Sequence, residues 1–219
     1  MTNFEEMRQA MILGQLLPQH ISHPKILQGF KRLSRETFVS SSHQNVCYGD
    51  LLINMPEDRI ILAPVILAKL LEGAMIRPTD KVLVLGCSTG YAAIILSYLA
   101  NKIIAVESHE PYVNFMREMF ENYEIFNAHS YLRSLSEGYG EEAPYDIIFI
   151  EGAVADIPVT LYIQLAEGGK IVTIFSKDTI TICEGVIIEK RENSLHKKIL
   201  FETNVPILKE FQKKKDFEF

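Results

Sequence analysis

Val82-Leu-Val-Leu85-Gly86-Cys-Ser-Thr-Gly90-Tyr91-Ala-Ala-Ile-Ile-Leu-Ser-Tyr-Leu-Ala100 is the stretch on which the fold turns. Lys81–Leu85 is an apolar run of strand length, and it stops at Gly86. A second glycine, Gly90, then opens Tyr91–Ala100, which contains no helix breaker. The stretch therefore predicts a strand, a glycine loop and a helix in close succession.

The pattern continues downstream. Lys102–Val106 predicts a second strand, and Pro111–Asn122 a helix with Tyr112, Phe115, Met116, Met119 and Phe120 on one side, read as core. After an interval without a clear pattern, Tyr145–Ile150 predicts a strand, Pro158–Gln164 a helix stopping near Gly168-Gly169, and Lys170–Phe175 another strand. Such alternation predicts an α/β fold, a largely parallel central sheet with helices on both faces. The tail, Ile180–Ile188 and Lys197–Pro206, predicts two antiparallel strands with a turn near Glu192–Ser194. Lys213–Lys215 reads as a solvated terminus.

Upstream, residues 4–17 predict a helix ended by Pro18, and Pro24–Leu33 a second, with Pro24 in its first turn. Phe38–Asp50 reads as irregular, and Pro64–Glu72 as a helix with Gly73 near its end. No repeat or linker interrupts the chain. The expectation is one domain over 1–219, with a helical, substrate-side extension at 1–75 and a cofactor-binding core at 76–219.

The whole-chain totals narrow the classes. With 219 residues, 47% of them hydrophobic, and a formal net charge of −6, the chain reads as a globular protein with a real core. The negative charge argues against broad neutralisation of nucleic-acid phosphates, so no nucleic-acid partner is expected. Cys47, Cys87 and Cys183 are far apart with no CxxC pair, which disfavours a disulfide framework or structural zinc and suits a reducing cytoplasm. The start, Met1-Thr-Asn-Phe-Glu-Glu, is acidic where a signal peptide is basic. The longest apolar run, Ile60–Ala68, contains Pro64 and is too short for a bilayer, so no membrane association is expected. Nothing in the sequence specifies an oligomeric state.

Two features point to a nucleoside cofactor. Gly86 and Gly90 lie where backbone can approach a ligand and a helix N-terminus offers amides. Glu107 ends the second strand, 21 positions after Gly86, close to the roughly twenty-residue spacing of an acid that accepts both ribose hydroxyl protons. Each also has a plain reading, a tight turn and a solvated strand end. Ser88 stands where a dehydrogenase loop has its middle glycine, so the diphosphate pattern is broken, and S-adenosylmethionine, which has no diphosphate, tolerates that better.

Further motifs carry a resemblance. Met11-x-x-x-Gln15-Leu16, Ile21, Leu27 and Arg35-Glu36-x-Phe38-Val39 form a leader, followed by Tyr48-x-Asp50 and Pro64. Val82-Leu83-x-Leu85-Gly86-x-x-x-Gly90-Tyr91, Val106-Glu107, Ala143-Pro144-Tyr145-Asp146, Ile157-Pro158, Gln164-Leu165 and Gly168-Gly169 complete the pattern. Over nearly the whole chain it resembles the protein-L-isoaspartate O-methyltransferases. The resemblance implies a Rossmann-like methyltransferase fold and S-adenosyl-L-methionine as cofactor. It implies a protein or peptide partner carrying isoaspartyl residues, whose free carboxylate is methylated. The cofactor-lining positions it points to are Gly86, Cys87, Ser88, Gly90, Tyr91, Glu107, Ser108, Ser134 and Glu151.

There are departures. Where the family has a Gly-Gln-Thr-Ile-Ser-like segment, this chain has Asp58-Arg59-Ile60-Ile61-Leu62, so the substrate-side threonine and serine become Ile60 and Leu62. The acid ending the family's first strand is Val84 here, and its Gly-Asp-Gly falls at Arg133-Ser134-Leu135. An ionised carboxylate and a sulfonium need alignment and a dry pocket more than a general base, so these losses strike recognition rather than chemistry. Two alternatives therefore stand beside the isoaspartyl reading: a methyltransferase with another acceptor, and a non-catalytic binding or scaffold member.

Individual residues keep paired readings. Arg59 either pairs with the substrate carboxylate or is a surface residue neutralised by Glu57 or Asp58, and the latter is preferred. Glu151 either holds the sulfonium or amino group of the cofactor's methionine or faces water. Cys87, near a helix start, is expected to have a lowered thiol pKa. His20-x-x-His23 has metal-like spacing without a third ligand and reads as a helix-end pair.

Overall fold

The computed structural model describes residues 3–176, 182–192 and 194–213. In chain order the regular elements are α1 (Phe4–Met11), α2 (Pro24–Arg32), β1 (Ile53–Met55), β2 (Arg59–Ile61), α3 (Pro64–Ala74), β3 (Lys81–Leu85), α4 (Tyr91–Ser97), β4 (Lys102–Glu107), α5 (Glu110–Asn122), β5 (Ala128–Leu132), β6 (Tyr145–Val154), α6 (Val159–Gln164), β7 (Leu165–Phe175), β8 (Cys183–Arg191) and β9 (Ser194–Thr203). β1 and β2 pair as a small antiparallel hairpin. The rest form one seven-stranded sheet in the order β5-β4-β3-β6-β7-β8-β9. β3 to β7 are parallel, and β8 and β9 close one edge antiparallel.

β3 shows why a nearly unbroken apolar run makes a central strand. Val82 and Val84 point into the core built with α3, α4 and α5, and Leu83 and Leu85 into a second core on the opposite face. The first core also takes in α1, α2 and the loops of the N-terminal third. The second is covered by α6, the 135–145 loop, and Leu208 and Phe211 near the C-terminus. Every residue of α4 is buried, so the helix is apolar all round rather than striped. On α5, Tyr112, Met116, Met119 and Phe120 are buried and Phe115 packs against the same core, as their spacing predicts.

Several boundaries differ from the sequence reading. Pro18 does not stop the first helix: the chain widens into a π turn over Ile12–Leu16, tightens into a 3-10 turn over Leu17–Gln19 and reverses at His20, whose φ is 63°. α3 runs through Gly73 and ends at Met75, φ 50°. α6 ends at Gln164, so Gly168-Gly169 lies within β7. The patternless interval holds β5, an edge strand whose Ala-His-Ser-Tyr-Leu composition buries too little to show a period. The hairpin of β1 and β2 passed unrecognised because each strand has only three residues. The first tail strand begins later than expected, at Cys183, and the second earlier, at Ser194, while Ile180, Thr181 and Asn193 lie outside the described residues. Among the described residues no helix is long and apolar enough to cross a membrane.

Candidate functional site

The chain leaves β3 in one direction and reaches β6 on its other side, so the sheet order reverses between them. In open parallel sheets the crevice beyond the strand ends at such a reversal is where ligands bind. Gly86 and Gly90 sit there with φ of 71° and 87°, a left-handed backbone that glycine adopts without strain. Glu107 closes β4 beside them. It is fully buried, which overturns the solvated-end reading.

Both Glu107 oxygens are occupied. Arg59 Nε donates to Oε1 at 3.0 Å and to Oε2 at 3.1 Å. The Ser88 amide donates to Oε1 at 2.9 Å and the Ser108 amide to Oε2 at 3.0 Å. Four contacts fill the roughly four lone-pair positions of a carboxylate.

Arg59 is not the surface residue that was preferred: its side chain is 1% exposed. Its Nη2 donates to Glu210 Oε1 at 2.6 Å and to Ser108 Oγ at 2.7 Å, and its Nη1 donates to Glu210 Oε2 at 3.3 Å. Ser108 Oγ in turn donates to Glu210 Oε1 at 3.0 Å. Burial works against the guanidinium charge, but the hydrogen bonds and fields of Glu210 and Glu107 outweigh it and hold the Arg59 pKa above its ordinary value. Burial likewise pushes Glu210 upward, and Arg59 more than reverses this, leaving the carboxyl below the usual range. Neither Glu57 nor Asp58 is Arg59's partner; Glu57 lies 3.9 Å from His109 instead.

Glu210 arrives from a segment with no counterpart in the sequence reading. After β9 the chain crosses the ends of β3 and β6. Ala153 N donates to Pro206 O at 3.3 Å, Leu208 N to Ala153 O at 2.9 Å, and Ala155 N to Phe211 O at 3.0 Å. Leu208 is buried against both glycine positions. A methyl group on Gly152 would stand 2.5 Å from Leu208 Cγ, and one on Gly86 would stand 3.3 Å from Leu208 Cδ1. Burying such a leucine contributes about 2 kcal/mol. Nothing in the tail's composition signals this docking. Its one sequence clue is an apolar Val205, Ile207, Leu208 and Phe211 on an otherwise charged end.

The expected acceptor side is apolar. Ile60 and Leu62 are buried, and neither offers a hydrogen bond from its side chain. The Leu62 carbonyl accepts from Arg35 Nη2 at 2.7 Å, while Arg35 Nε donates to Cys47 O at 2.7 Å and the guanidinium lies 4.8 Å from the Tyr91 ring centre. Arg35, a leader residue, thus ties the hairpin to the loop before it and to α4. Tyr91 is buried with its hydroxyl unpartnered.

Glu151, on β6, does not face water. It is buried, and neither oxygen is in hydrogen-bond geometry with any group. Burial pushes its pKa up to about 8, with the Arg35 guanidinium and the Leu62 backbone pulling the other way and Glu107 adding to the rise. Cys87 is also corrected: burial, then Glu151 and Glu107, raise its thiol pKa well above the ordinary value, the reverse of the helix-start expectation. Its Sγ lies 3.4 Å from Met116 Sδ. Ser88 and Thr89 keep buried hydroxyls without partners. Ser134 stays outside the cluster, bonded to Ser136 at 3.0 Å. His20 and His23 are exposed, and among the described residues no three His, Cys, Asp or Glu side chains gather to hold a metal. Lys213 is exposed, while Lys214 and Lys215 lie outside the described residues.

A nucleoside's ribose diol needs the two oxygens of Glu107 free to accept, and here Arg59 and two backbone amides saturate them. In this arrangement the residues present do not fit S-adenosylmethionine, although the loop and the acid are placed as such a cofactor requires.

Comparison with known proteins agrees with the architecture. The family model described as protein-L-isoaspartate(D-aspartate) O-methyltransferase matches residues 7–206. A protein-L-isoaspartate O-methyltransferase of Koribacter versatilis is 36% identical over 172 residues, 78% of each chain. One of Picosynechococcus is 32% identical over 166 residues, 76% of this chain and 75% of that protein. A solved protein-L-isoaspartate O-methyltransferase superposes with TM-score 0.77 at 21% identity, covering 94% of this chain and 65% of that one. A Plasmodium falciparum structure, described as such an enzyme in complex with S-adenosyl-L-homocysteine, superposes with TM-score 0.74 at 18% identity, over 96% of this chain and all of that one.

Proposed function

This chain belongs to the protein-L-isoaspartate(D-aspartate) O-methyltransferase family, and from that premise we propose that it is an S-adenosylmethionine-dependent protein carboxyl methyltransferase acting on isoaspartyl residues. The observation that carries the reading is the meeting of the Gly86–Gly90 loop with Glu107 at the point where the strand order reverses. The cofactor-facing residues in this reading are Gly86, Cys87, Ser88, Gly90, Tyr91, Glu107 and Ser108. The hairpin residues Arg59, Ile60 and Leu62 line the acceptor side, which residues 1–75 shape.

The acceptor carboxyl is already ionised at neutral pH, with a pKa near 4, so no general base is needed. The chain's task is to hold the acceptor in line and exclude water. Ile60, Ile61 and Leu62 suit the second task, and Arg35 anchors the Leu62 backbone for the first.

The test is methyl transfer to an isoaspartyl peptide and to its aspartyl control, read as base-labile methyl ester. Incorporation confined to the isoaspartyl peptide is expected, and equal or absent incorporation in both refutes the assignment.

One observation favours a second reading, in which the acceptor carries no negative charge. Buried Leu62 and Ile60 offer no hydrogen bond to a carboxylate, and the buried Glu151 carboxyl lies close to the Leu62 backbone. An unpaired carboxylate among such groups costs several kcal/mol. The double change Ile60→Thr, Leu62→Ser separates the two: a gain in isoaspartyl methylation means that recognition alone had weakened, and no gain supports a different acceptor.

A further inference from the structure

We propose, resting on the isoaspartyl reading of the site, that Glu151 is the residue that recognises the acceptor's carboxylate, donating to it the hydrogen bond that Leu62 cannot. Leu85 pairs with Val106 on one side and with Ile150 on the other, so Gly86 stands level with both Glu107 and Glu151 where the strand order reverses. Along β6, Ile150 points into the second core and Phe149 into the first, so Glu151 turns to the face of the first core, where Leu62 is also buried. Ile60, two positions before Leu62, lines a cleft of about 450 Å³ with Asn54, Asp58 and Ile207. A peptide seated in that cleft lies against the hairpin whose end meets Glu151.

Among the described residues, all but one of the buried side-chain polar atoms without a partner belong to Arg35, Ser88, Thr89, Tyr91 and Glu151. Buried polar groups are nearly always paired, so such a concentration marks a place where a ligand supplies the missing partners. Glu151 leaves both oxygens open and Arg35 leaves Nη1 open, while the guanidinium acts on the carboxyl through its field without bonding to it. The other groups that act on Glu151 are the Leu62 backbone, Glu107, which Arg59 and two amides already hold, and the Cys87 thiol. Burial keeps the Glu151 proton in place to about pH 8, and Cys87, raised well above its ordinary value, stays neutral over the same range. At neutral pH the residue is therefore an O–H donor rather than a second anion. Its proton, shared with an incoming carboxylate, makes a charge-assisted bond, and Arg35 supplies the counter-charge. The carboxylate is then paired rather than stranded between Ile60 and Leu62, and an uncharged carboxamide in its place gains less.

The experiment measures binding of a labelled isoaspartyl peptide and of its carboxamide counterpart to the full chain, to Glu151→Gln and to Glu151→Ala, with and without S-adenosylhomocysteine. Wild-type affinity for the isoaspartyl peptide should hold at neutral pH and then fall, approaching about tenfold per unit above about pH 8, as the deprotonated acid repels the carboxylate. Calorimetry in two buffers of different ionisation enthalpy should show close to one proton taken up on binding at about pH 9. At about pH 7, Glu151→Ala should bind the isoaspartyl peptide about tenfold to a hundredfold more weakly. Glu151→Gln, which keeps a donor and has no proton to lose, should recover most of that loss and show neither the pH dependence nor the proton uptake. A merely structural role would weaken both peptides alike and take up no proton. Equal isoaspartyl affinity in all three proteins, or the same pH slope in Glu151→Gln, overturns the role of Glu151 and leaves the isoaspartyl reading standing where the wild type still prefers the isoaspartyl peptide. No preference for that peptide over its carboxamide in any of the three removes the acceptor reading and the role of Glu151 with it.

Discussion

Replacing Glu151 by Gln isolates the energetic consequence of burying an acid without a partner. In the folded chain neither Glu151 oxygen has a hydrogen bond, and burial raises its pKa from 4.5 to about 8. The native state therefore keeps its proton at neutral pH, and the unfolded chain loses it. Below about pH 4.5 both states are protonated and the residue adds no pH dependence. Between 4.5 and about 8 the native state binds one more proton, so stability falls as pH rises, by about 1.4 kcal/mol per unit. Across the whole interval the loss is about 5 kcal/mol, a large part of the 5–15 kcal/mol that holds a typical domain together. Gln has the same shape and no ionisation, so the variant lacks this slope. Urea unfolding at half-unit steps from about pH 5 to about pH 9.5 measures it: the stability of Glu151→Gln relative to wild type should climb steadily and level off above about pH 8. Curves that stay parallel over that range refute the reasoning and mean that Glu151 is ionised in the fold, solvated or paired.

Arg59→Met should leave Glu107 buried without its cation and cost about 3–5 kcal/mol in chemical denaturation. Arg59→Lys should rescue little of it, because a single ammonium does not span two carboxylates as the guanidinium fork does. Gly152→Ala sets a methyl group against Leu208 and should expel the tail, seen as faster proteolysis within 205–213; unchanged cleavage there refutes the contact. Cys87, buried with a raised pKa, should stay unmodified by iodoacetamide in the folded protein at pH 8 and react on unfolding; rapid labelling in the native state contradicts its placement.

The methyltransferase core was legible because its signals are local. Val82–Leu85 carries its own strand signature, Gly86 and Gly90 their own turn, and Glu107 its spacing from the loop. β5 was not legible, since an edge strand buries one face only partly and its residues alternate weakly. The hairpin of β1 and β2 was too short to show a period, yet it is what delivers Arg59 to the crevice. Arg59 itself was misjudged for a clear reason. The nearest acids in sequence, Glu57 and Asp58, seemed sufficient partners, while the real ones lie 48 and 151 positions away.

Glu151 and Cys87 show the same limit in another form. At a strand end Glu151 reads as either a cofactor contact or a solvated acid, and at a helix start Cys87 reads as a thiol of lowered pKa; only the packing around them turns both toward their neutral forms.

The sequence by itself determined the family, the parallel sheet and the position of the glycine loop, because apolar periodicity, glycine placement and motif spacing act over a few residues. Only the tertiary structure decided the state of the crevice. Whether Glu107 is free or taken, and whether Gly86 faces open space or Leu208, depends on contacts made by residues far apart in the chain. Those contacts follow from where a buried guanidinium finds its carboxylates and where the last apolar side chains escape water.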